Sequence, residues 1–201
     1  MTIAHYFTLL RLVLVPLFAA VYLHPTWLFI HAQHISWILI GILALSELTD
    51  ACDGYLARKL NQVTDLGKIL DPMADSLSRL GVFFCFTQGE IGLPLEIPFL
   101  MLYRDVCVST LRTICALRGF ALAARWSGKV KAAVQASAAF IILYLMGSYN
   151  QGHISKTTFD FLTVSFGLLA AGFSVFSGFE YIMANRQVLS RLLERHSETK
   201  P

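Results

Sequence analysis

Charged residues are scarce in this chain of 201 residues. They make up 14% of it, whereas about a quarter is usual for a soluble globular domain, and hydrophobic residues make up 56%. This composition excludes an ordinary soluble domain and predicts an integral membrane protein. The formal net charge is only +3, which is too small to indicate a nucleic-acid-binding protein.

Cysteine motifs and a cleavable leader are missing as well. None of the four cysteines is paired in C-x-x-C spacing and each lies in or beside an apolar run: Cys52, Cys85, Cys107 and Cys115. They are expected to be buried thiols rather than zinc ligands or disulfide partners. The first apolar run has no basic segment before it and no A-x-A cleavage site after it, so we interpret it as a retained membrane helix.

Six apolar stretches approach or exceed the length of about 20 residues that a helix needs to cross a membrane. They run at residues 6–22, 35–50, 66–87, 94–117, 127–148 and 158–185. The sequence therefore predicts an all-α, polytopic membrane protein with six transmembrane helices. Residues 1–185 are expected to form one membrane domain, and residues 186–201 a basic tail in the cytoplasm.

Lysine and arginine are distributed unevenly between the predicted loops. The loops on one side contain only Lys156. The loops on the other side and the tail hold the remaining loop cations, which are Arg58, Lys59, Arg118, Arg125, Arg186, Arg191, Arg195 and Lys200. Because basic loops stay in the cytoplasm, both termini are predicted there, and the expected location is the inner membrane of a bacterium.

Acidic residues are few and clustered, because six of the 13 fall within residues 47–75. Asp50 and Asp53 are three residues apart at the end of the second predicted helix, and Asp71 and Asp75 are four apart on the third. Residues at these spacings share one face of a helix. The connecting segment is long enough to turn back, so the four carboxylates are expected to converge where the two helices lie side by side.

Four carboxylates that converge inside a membrane need protons or cations to offset their repulsion. Carboxylate oxygens suit hard ions such as Mg²⁺ or Mn²⁺. Two divalent ions bridged by carboxylates serve phosphoryl transfer, because they hold the attacking and the leaving oxygen. The same four aspartates are also compatible with the ion pathway of a divalent-cation transporter. Their spacing alone leaves both interpretations open.

One stretch carries a specific motif. Residues 50–75 read DACDGYLARKLNQVTDLGKILDPMAD. This stretch resembles the complete motif of the CDP-alcohol phosphatidyltransferase family, D-x2-D-G-x2-A-R-x8-G-x3-D-x3-D, with every fixed position filled. Thr8 and Arg11 in the first helix, and the runs at 103–112 and 126–135, are similar to the phosphatidylglycerophosphate synthase branch of that family.

The resemblance implies a reaction and a role for each matched residue. It implies transfer of a phosphatidyl group from CDP-diacylglycerol to a small alcohol, with release of CMP, by a membrane enzyme that is usually a homodimer. Asp50, Asp53, Asp71 and Asp75 would hold two divalent ions, and Asp75 would also be the catalytic general base. The CDP moiety would be bound by Asp50, Gly54, Ala57, Arg58 and Gly67.

Basic residues in the fourth and fifth predicted helices indicate the acceptor alcohol. Arg104 and Arg112 are eight residues apart, close to two helical turns, so they share a face. Lys129 and Lys131 are two apart and point differently, so only one of them is expected in the same pocket. A cationic pocket favours an acceptor that carries phosphate, namely glycerol 3-phosphate, over choline, which prefers aromatic and acidic groups.

Several alternatives stay open from the residues alone. Lys129 and Lys131 are also compatible with anchors at the cytoplasmic end of a helix, and Arg104 with an ion pair to Asp105 or Glu180. Within the same chemistry, the acceptor could instead be inositol phosphate, serine or a second lipid. The cation transporter remains the alternative from another class, although ion conduction requires no arginine at the fixed offset of Arg58.

Overall fold

The computed structural model describes residues 3–28, 31–59, 65–117 and 126–186, and these residues form helices joined by turns and short loops. Within these ranges, the side chains of residues 3–8, 27, 28, 32, 33, 53–59, 65–72 and 116 lie outside the description. A short 3-10 helix spans Pro25–Leu28. The six α-helices are α1 (Ile3–Leu23), α2 (Ala32–Lys59), α3 (Asp65–Cys85), α4 (Glu96–Leu117), α5 (Trp126–Asn150) and α6 (Lys156–Ala184). The predicted all-α fold with six helices is confirmed.

Long apolar helices give the fold its membrane character. Among the described residues, three segments are long and apolar enough to cross a membrane by length and composition: His34–Cys52 in α2, the whole of α5 and the whole of α6. The apolar part of α1 is shorter. Charged residues interrupt α3 and α4, and the most buried of them, Asp105, is 8% exposed, so it turns away from the lipid.

The second helix is longer than the sequence predicted. It was expected to end at residue 50, but α2 continues to Lys59, so Asp50 lies well inside it. The prediction was wrong here because hydrophobicity ends where a helix leaves the apolar layer, whereas the helix itself continues through good helix-forming residues. The other helix ends lie within three residues of their predicted positions.

The helices form one bundle with a gap on one side. Helix α1 packs against α2 and α3, α2 packs against α5, and α5 packs against α6, which also holds α4. In contrast, α3 and α4 approach each other over a much smaller area. A groove therefore remains between α3 and α4, and it borders the functional site described below.

One end of the bundle is filled with aromatic rings, and we refer to it as the apolar end. Phe18 and Tyr22 on α1 stack on each other and pack against Phe86, just beyond α3, and Phe86 also packs against Phe83 on α3, with ring centroids 5.8–6.3 Å apart. The Tyr22 hydroxyl donates a hydrogen bond to the carbonyl oxygen of Gln88 at 2.7 Å. The edge-to-face contacts that dominate this cluster are the favourable geometry for aromatic pairs.

The four cysteines are free thiols, as predicted, but they are not all buried. Cys85 and Cys115 are buried and Cys107 is half-buried, whereas Cys52 is exposed. The prediction for Cys52 was wrong because Cys52 occupies an outward face of the extended part of α2. The predicted tail lies outside the described residues after Arg186.

Candidate active site

Two of the predicted aspartates line one cavity. Asp50 on α2 and Asp75 on α3 both contribute to the wall of a cavity of about 380 Å³ at the end of the bundle opposite the aromatic cluster. We refer to this cavity and its lining as the polar end. Asp53 and Asp71 occupy the same two helices, one turn away from Asp50 and Asp75 respectively, but their side chains lie outside the described residues.

A buried arginine joins the two aspartates. Arg11 on α1 is 2% exposed, and its Nη2 lies 3.0 Å from Asp50 Oδ1 while its Nη1 donates to Asp75 Oδ1. One guanidinium therefore contacts carboxylates from two different helices. This arrangement shows that Asp50 and Asp75 converge, as their spacing predicted, and that they do so around positive charge.

The donor set around the two aspartates fits a hard metal ion. Asp50 and Asp75 offer carboxylate oxygens and both reach the same cation, the Arg11 guanidinium. Among the described side chains, which do not include those of Asp53 and Asp71, no three or more His, Cys, Asp or Glu residues form a cluster. The described pair is thus compatible with the predicted metal site but does not complete it.

Arg79 also belongs to the site, although it was not among the predicted site residues. It lies one helical turn after Asp75, and it lines the cavity. Its Nη2 is 3.8 Å from Asp50 Oδ2, and its Nε is 3.7 Å from Glu47 Oε1. The four-residue spacing from Asp75 was the signal in the sequence that could have identified it.

The wall opposite the aspartates is basic. All four residues predicted to bind the acceptor line the same cavity as Asp50 and Asp75, and they are Arg104, Arg112, Lys129 and Lys131. The expectation that only one lysine faces the cavity was wrong. Lys131 is buried in the wall and Lys129 is exposed at the rim, because a lysine side chain is long enough to reach the cavity from either position.

Arg104 and Lys131 are connected through a residue of α4. Asp105 Oδ1 accepts a hydrogen bond from Arg104 Nη1 at 3.0 Å and another from Lys131 Nζ at 2.5 Å. The predicted ion pair between Arg104 and Asp105 is therefore present. The stem of Arg104 crosses α6 at Gly178, where a Cβ atom would lie 2.7 Å from Arg104 Cγ.

Tyr181 on α6 completes the wall, and nothing in the sequence pointed to it. It is 3% exposed and lines the cavity. The Arg112 guanidinium carbon lies 5.9 Å from the centre of its ring, a cation–π distance. Its buried hydroxyl has no hydrogen-bond partner among the described residues. A tyrosine inside a long apolar helix carries no local signal for such a role.

The polar cavity continues into the groove between α3 and α4. This groove has a volume of about 330 Å³ and shares Ser76, Arg104 and Arg112 with the cavity. Most of its remaining lining is aliphatic, including the exposed side chains of Leu77 and Val106. A polar chamber next to an apolar groove is suited to a molecule with a charged head and a hydrocarbon tail.

Comparison with known sequences assigns this site to a family. A sequence model described as CDP-alcohol phosphatidyltransferase matches residues 1–176. The chain belongs to the CDP-alcohol phosphatidyltransferase family. It is therefore a transferase and an integral membrane protein, as the motif predicted.

Individual members of the family align with most of the chain. The CDP-diacylglycerol–glycerol-3-phosphate 3-phosphatidyltransferase of Bacillus subtilis (strain 168) is 31% identical over 194 residues, which cover 90% of this chain and 94% of that protein. The protein of the same name from Pseudomonas fluorescens is 30% identical over 190 residues, covering 92% and 90%. A cardiolipin synthase (CMP-forming) of Streptomyces coelicolor is 38% identical over 120 residues, covering 60% and 54%.

The remaining motif positions of the family are placed only by their helices. Gly54, Ala57 and Arg58 fall in the last part of α2, and Gly67 falls in the first turn of α3. Their side chains and surroundings lie outside the described residues. Their predicted role in binding CDP stays a prediction.

Proposed function

We propose that this enzyme transfers the phosphatidyl group of CDP-diacylglycerol to glycerol 3-phosphate and releases CMP, a step of phospholipid synthesis that leads to phosphatidylglycerol. The observation that carries the proposal is the basic wall. Arg104, Arg112, Lys129 and Lys131 line the same cavity as Asp50 and Asp75. The two relatives that align with at least 90% of this chain bear the name of this activity.

The basic wall favours an acceptor that itself carries a phosphate. Beside Arg79, four cationic side chains surround a space that is large enough for a small ligand. Arginine and lysine bind phosphate through charge-assisted hydrogen bonds, and arginine does so in a bidentate fashion. An acceptor without a phosphate, such as serine, would offer this wall less negative charge and would therefore bind more weakly.

We assign the proton transfer to Asp75. Its carboxylate takes the proton from the acceptor hydroxyl, and the oxygen then forms a bond to the phosphatidyl phosphorus of CDP-diacylglycerol. The bond between that phosphorus and the CMP oxygen breaks, so CMP leaves with the electron pair. Arg11 holds Asp75 and Asp50 in their relative positions through its two contacts.

Divalent ions complete the proposed site. Members of the family generally use divalent metal ions, and we assign two of them, Mg²⁺ or Mn²⁺, to Asp50, Asp53, Asp71 and Asp75. When bound, such ions offset phosphate charge and polarise the phosphorus. Asp50, Gly54, Ala57, Arg58 and Gly67 would bind the CDP moiety.

The arrangement in the membrane is part of the proposal. All six helices would cross the inner membrane of a bacterium, with both termini and the polar end at the cytoplasmic side. The uneven distribution of lysine and arginine between the loops supports this orientation. We also propose a homodimer, which the resemblance to the family suggests. Cross-linking in native membranes would report it as a band at twice the mass of the chain.

A screen of acceptors tests the proposed reaction. Purified enzyme in mixed micelles is supplied with CDP-diacylglycerol, Mg²⁺ or Mn²⁺, and one acceptor at a time: glycerol 3-phosphate, inositol phosphate, serine or phosphatidylglycerol. Release of CMP is measured. We expect kcat/KM for glycerol 3-phosphate to exceed that for serine by at least about tenfold, the discrimination expected from one lost charged contact, and to exceed the values for inositol phosphate and phosphatidylglycerol as well.

Two results would contradict the proposal. A higher kcat/KM with phosphatidylglycerol would assign the chain to the reaction named for the relative from Streptomyces coelicolor. Metal flux into liposomes without CDP-lipid, together with no CMP release from any acceptor, would favour the cation transporter instead.

A further inference from the structure

One carboxylate oxygen connects two helices beside the basic wall. Asp105 is 8% exposed, and its Oδ1 accepts from both Arg104 Nη1 on α4 and Lys131 Nζ on α5. Within the described ranges, α4 and α5 make few other close approaches. The charge network at Asp105 therefore fixes the position of one helix relative to the other at this level of the bundle.

Asp105 lies behind the cations rather than in front of them. Arg104 and Lys131 line the cavity that contains Asp50 and Asp75, whereas Asp105 lines only the neighbouring groove. A ligand in the cavity would therefore contact the two cations and not the carboxylate. Any influence of Asp105 on that ligand acts through Arg104 and Lys131.

The two cations need such a partner. The side chains of Arg104 and Lys131 are 13% and 7% exposed, so water screens their mutual repulsion poorly. Both also have many rotamers, and ordering them costs conformational entropy. Asp105 offsets one positive charge and holds both head groups, which leaves a net positive charge for an incoming phosphate.

We propose that Asp105 is a positioning residue for the phosphate of the acceptor, because it holds Arg104 and Lys131 in the orientation in which they bind it. The proposal rests on the proposed function and deepens it. Asp105 affects the affinity for the acceptor more than that for the CDP-lipid, since the motif residues assigned to CDP lie on α2 and α3 while the partners of Asp105 lie on α4 and α5.

The first test separates the two substrates. Asp105→Asn is compared with wild type by steady-state CMP release, with each substrate varied in turn. We expect KM for glycerol 3-phosphate to rise by at least about tenfold, the range for losing a hydrogen bond to a charged group. KM for CDP-diacylglycerol and kcat are expected to stay within about threefold, a change too small to represent such a bond.

A matched control exists elsewhere in the chain. Asp160 pairs with Lys156 at 2.8 Å, but both side chains are about half exposed at the start of α6. Asp160→Asn therefore removes a carboxylate from another lysine pair, without any contact to the cavity. Both KM values should equal those of wild type, since exposed pairs contribute little. Asp105→Glu, which keeps the charge, should recover part of the acceptor affinity.

A second comparison tests whether Asp105 acts through Lys131. The variant Lys131→Met is compared with the double variant Lys131→Met/Asp105→Asn. The double variant removes both members of a buried ion pair, so it leaves neither charge of that pair behind. Because Asp105 acts in part through Lys131, the added Asp105→Asn change should raise KM for glycerol 3-phosphate less in this background than in wild type. If Asp105→Asn alone fails to fold, as judged by gel filtration, Asp105→Glu is measured instead, and a rise of about threefold or more in KM for glycerol 3-phosphate, with an unchanged KM for CDP-diacylglycerol, supports the proposal.

Three results would overturn the inference while the proposed function stands. They are an unchanged KM for glycerol 3-phosphate in Asp105→Asn, an equal rise in KM for both substrates, and a full tenfold rise on top of Lys131→Met. A failure of the proposed function is detected in the acceptor screen with the wild-type enzyme, before any variant is measured, because the enzyme would then prefer another acceptor. In that case the same comparison of KM values is made with the preferred acceptor, and the same three results decide.

Discussion

The two ends of the helical bundle are held together by different forces. At the apolar end, Phe18, Tyr22, Phe83 and Phe86 fill the space between helices through ring contacts. The polar end is joined by ion pairs that run between helices, and two of the cations in these pairs, Arg79 and Lys131, also line the cavity. This difference indicates that the residues that stabilise the fold and those that carry the proposed reaction lie at opposite ends of the helices. Substitutions at the apolar end should therefore lower the free energy of unfolding, and substitutions at the polar end should lower the rate of CMP release.

The energetics of a membrane explain this division. Lipid is as apolar as a leucine side chain, so packing rather than hydrophobic transfer stabilises the apolar end. Buried charges are expensive in the same environment and persist only where they pair or serve a function. Arg11 has two carboxylate partners and Asp105 has two cationic ones. The first network joins the helices that carry the residues assigned to metal and CDP, and the second joins the helices that carry the residues assigned to the acceptor.

The largest expected effect is at the polar end. Asp75→Asn removes the proposed base but leaves Asp50 as a partner for Arg11. We expect CMP release to fall by at least about 100-fold, the usual contribution of a general base. Gel filtration and thermal unfolding should resemble those of wild type. Turnover near the wild-type rate would refute the assignment of Asp75.

The next largest effect is expected at the apolar end, on stability rather than on activity. Phe86→Ala empties a position that is 0% exposed at the centre of the aromatic cluster. We expect the free energy of unfolding in micelles to fall by about 3 kcal/mol, the lower end for such a change, because apolar lipid reduces the transfer contribution.

Activity distinguishes Phe86→Ala from a change at the polar end. The folded protein should keep both KM values and kcat, since no described contact links Phe86 to the cavity. Phe161→Ala is the control, because Phe161 is 70% exposed on α6 and should change stability by less than about 1 kcal/mol. A large loss of activity in folded Phe86→Ala would show that the two ends are coupled.

A smaller effect should come from a single methyl group. In Gly178→Ala the added Cβ would lie 2.7 Å from Arg104 Cγ, so the arginine must shift. We expect KM for glycerol 3-phosphate to rise by about fivefold, within the range for overpacking a close contact. Gly172→Ala on the same helix is the control, because its Cβ would meet nothing within 4 Å. Equal KM values in the two variants would argue against a role for Arg104.

The smallest effect is expected at an exposed ion pair. Lys156 lies 2.8 Å from Asp160 and over the rings of Tyr149 and Phe159, near the apolar end. Lys156→Ala should lower the free energy of unfolding by less than about 1 kcal/mol, since water screens such pairs. CMP release should be unchanged. A larger loss of stability, measured by thermal unfolding at low and high salt, would show that ion pairs matter at both ends.

The features that could be predicted from the sequence are those with a local signal. Apolar runs located all six helices, and the three- and four-residue spacings placed Asp50 and Asp75 on helix faces that converge. The eight-residue spacing of Arg104 and Arg112 likewise anticipated that both line one cavity. The motif at 50–75 identified the family, because its fixed positions are specific to one chemistry.

The features that were missed depend on tertiary contacts or on the end of the apolar layer. The extension of α2 to Lys59 could not be predicted from the apolar runs, because the apolar run in this helix ends at residue 50. The position of Tyr181 in the wall follows from how α6 packs, and no local pattern encodes that. Asp105 looked like one of two partners for Arg104, and only the approach of Lys131 from another helix reveals its second contact.

The placement of Tyr181 has a consequence for the newly made protein. The cavity draws its wall from α2 through α6, and Tyr181 comes from the last of these helices to leave the ribosome. A chain interrupted before α6 would carry the aspartates and the lysines but an open-sided chamber. The chamber is therefore enclosed only after α6 has been made and has packed against the earlier helices.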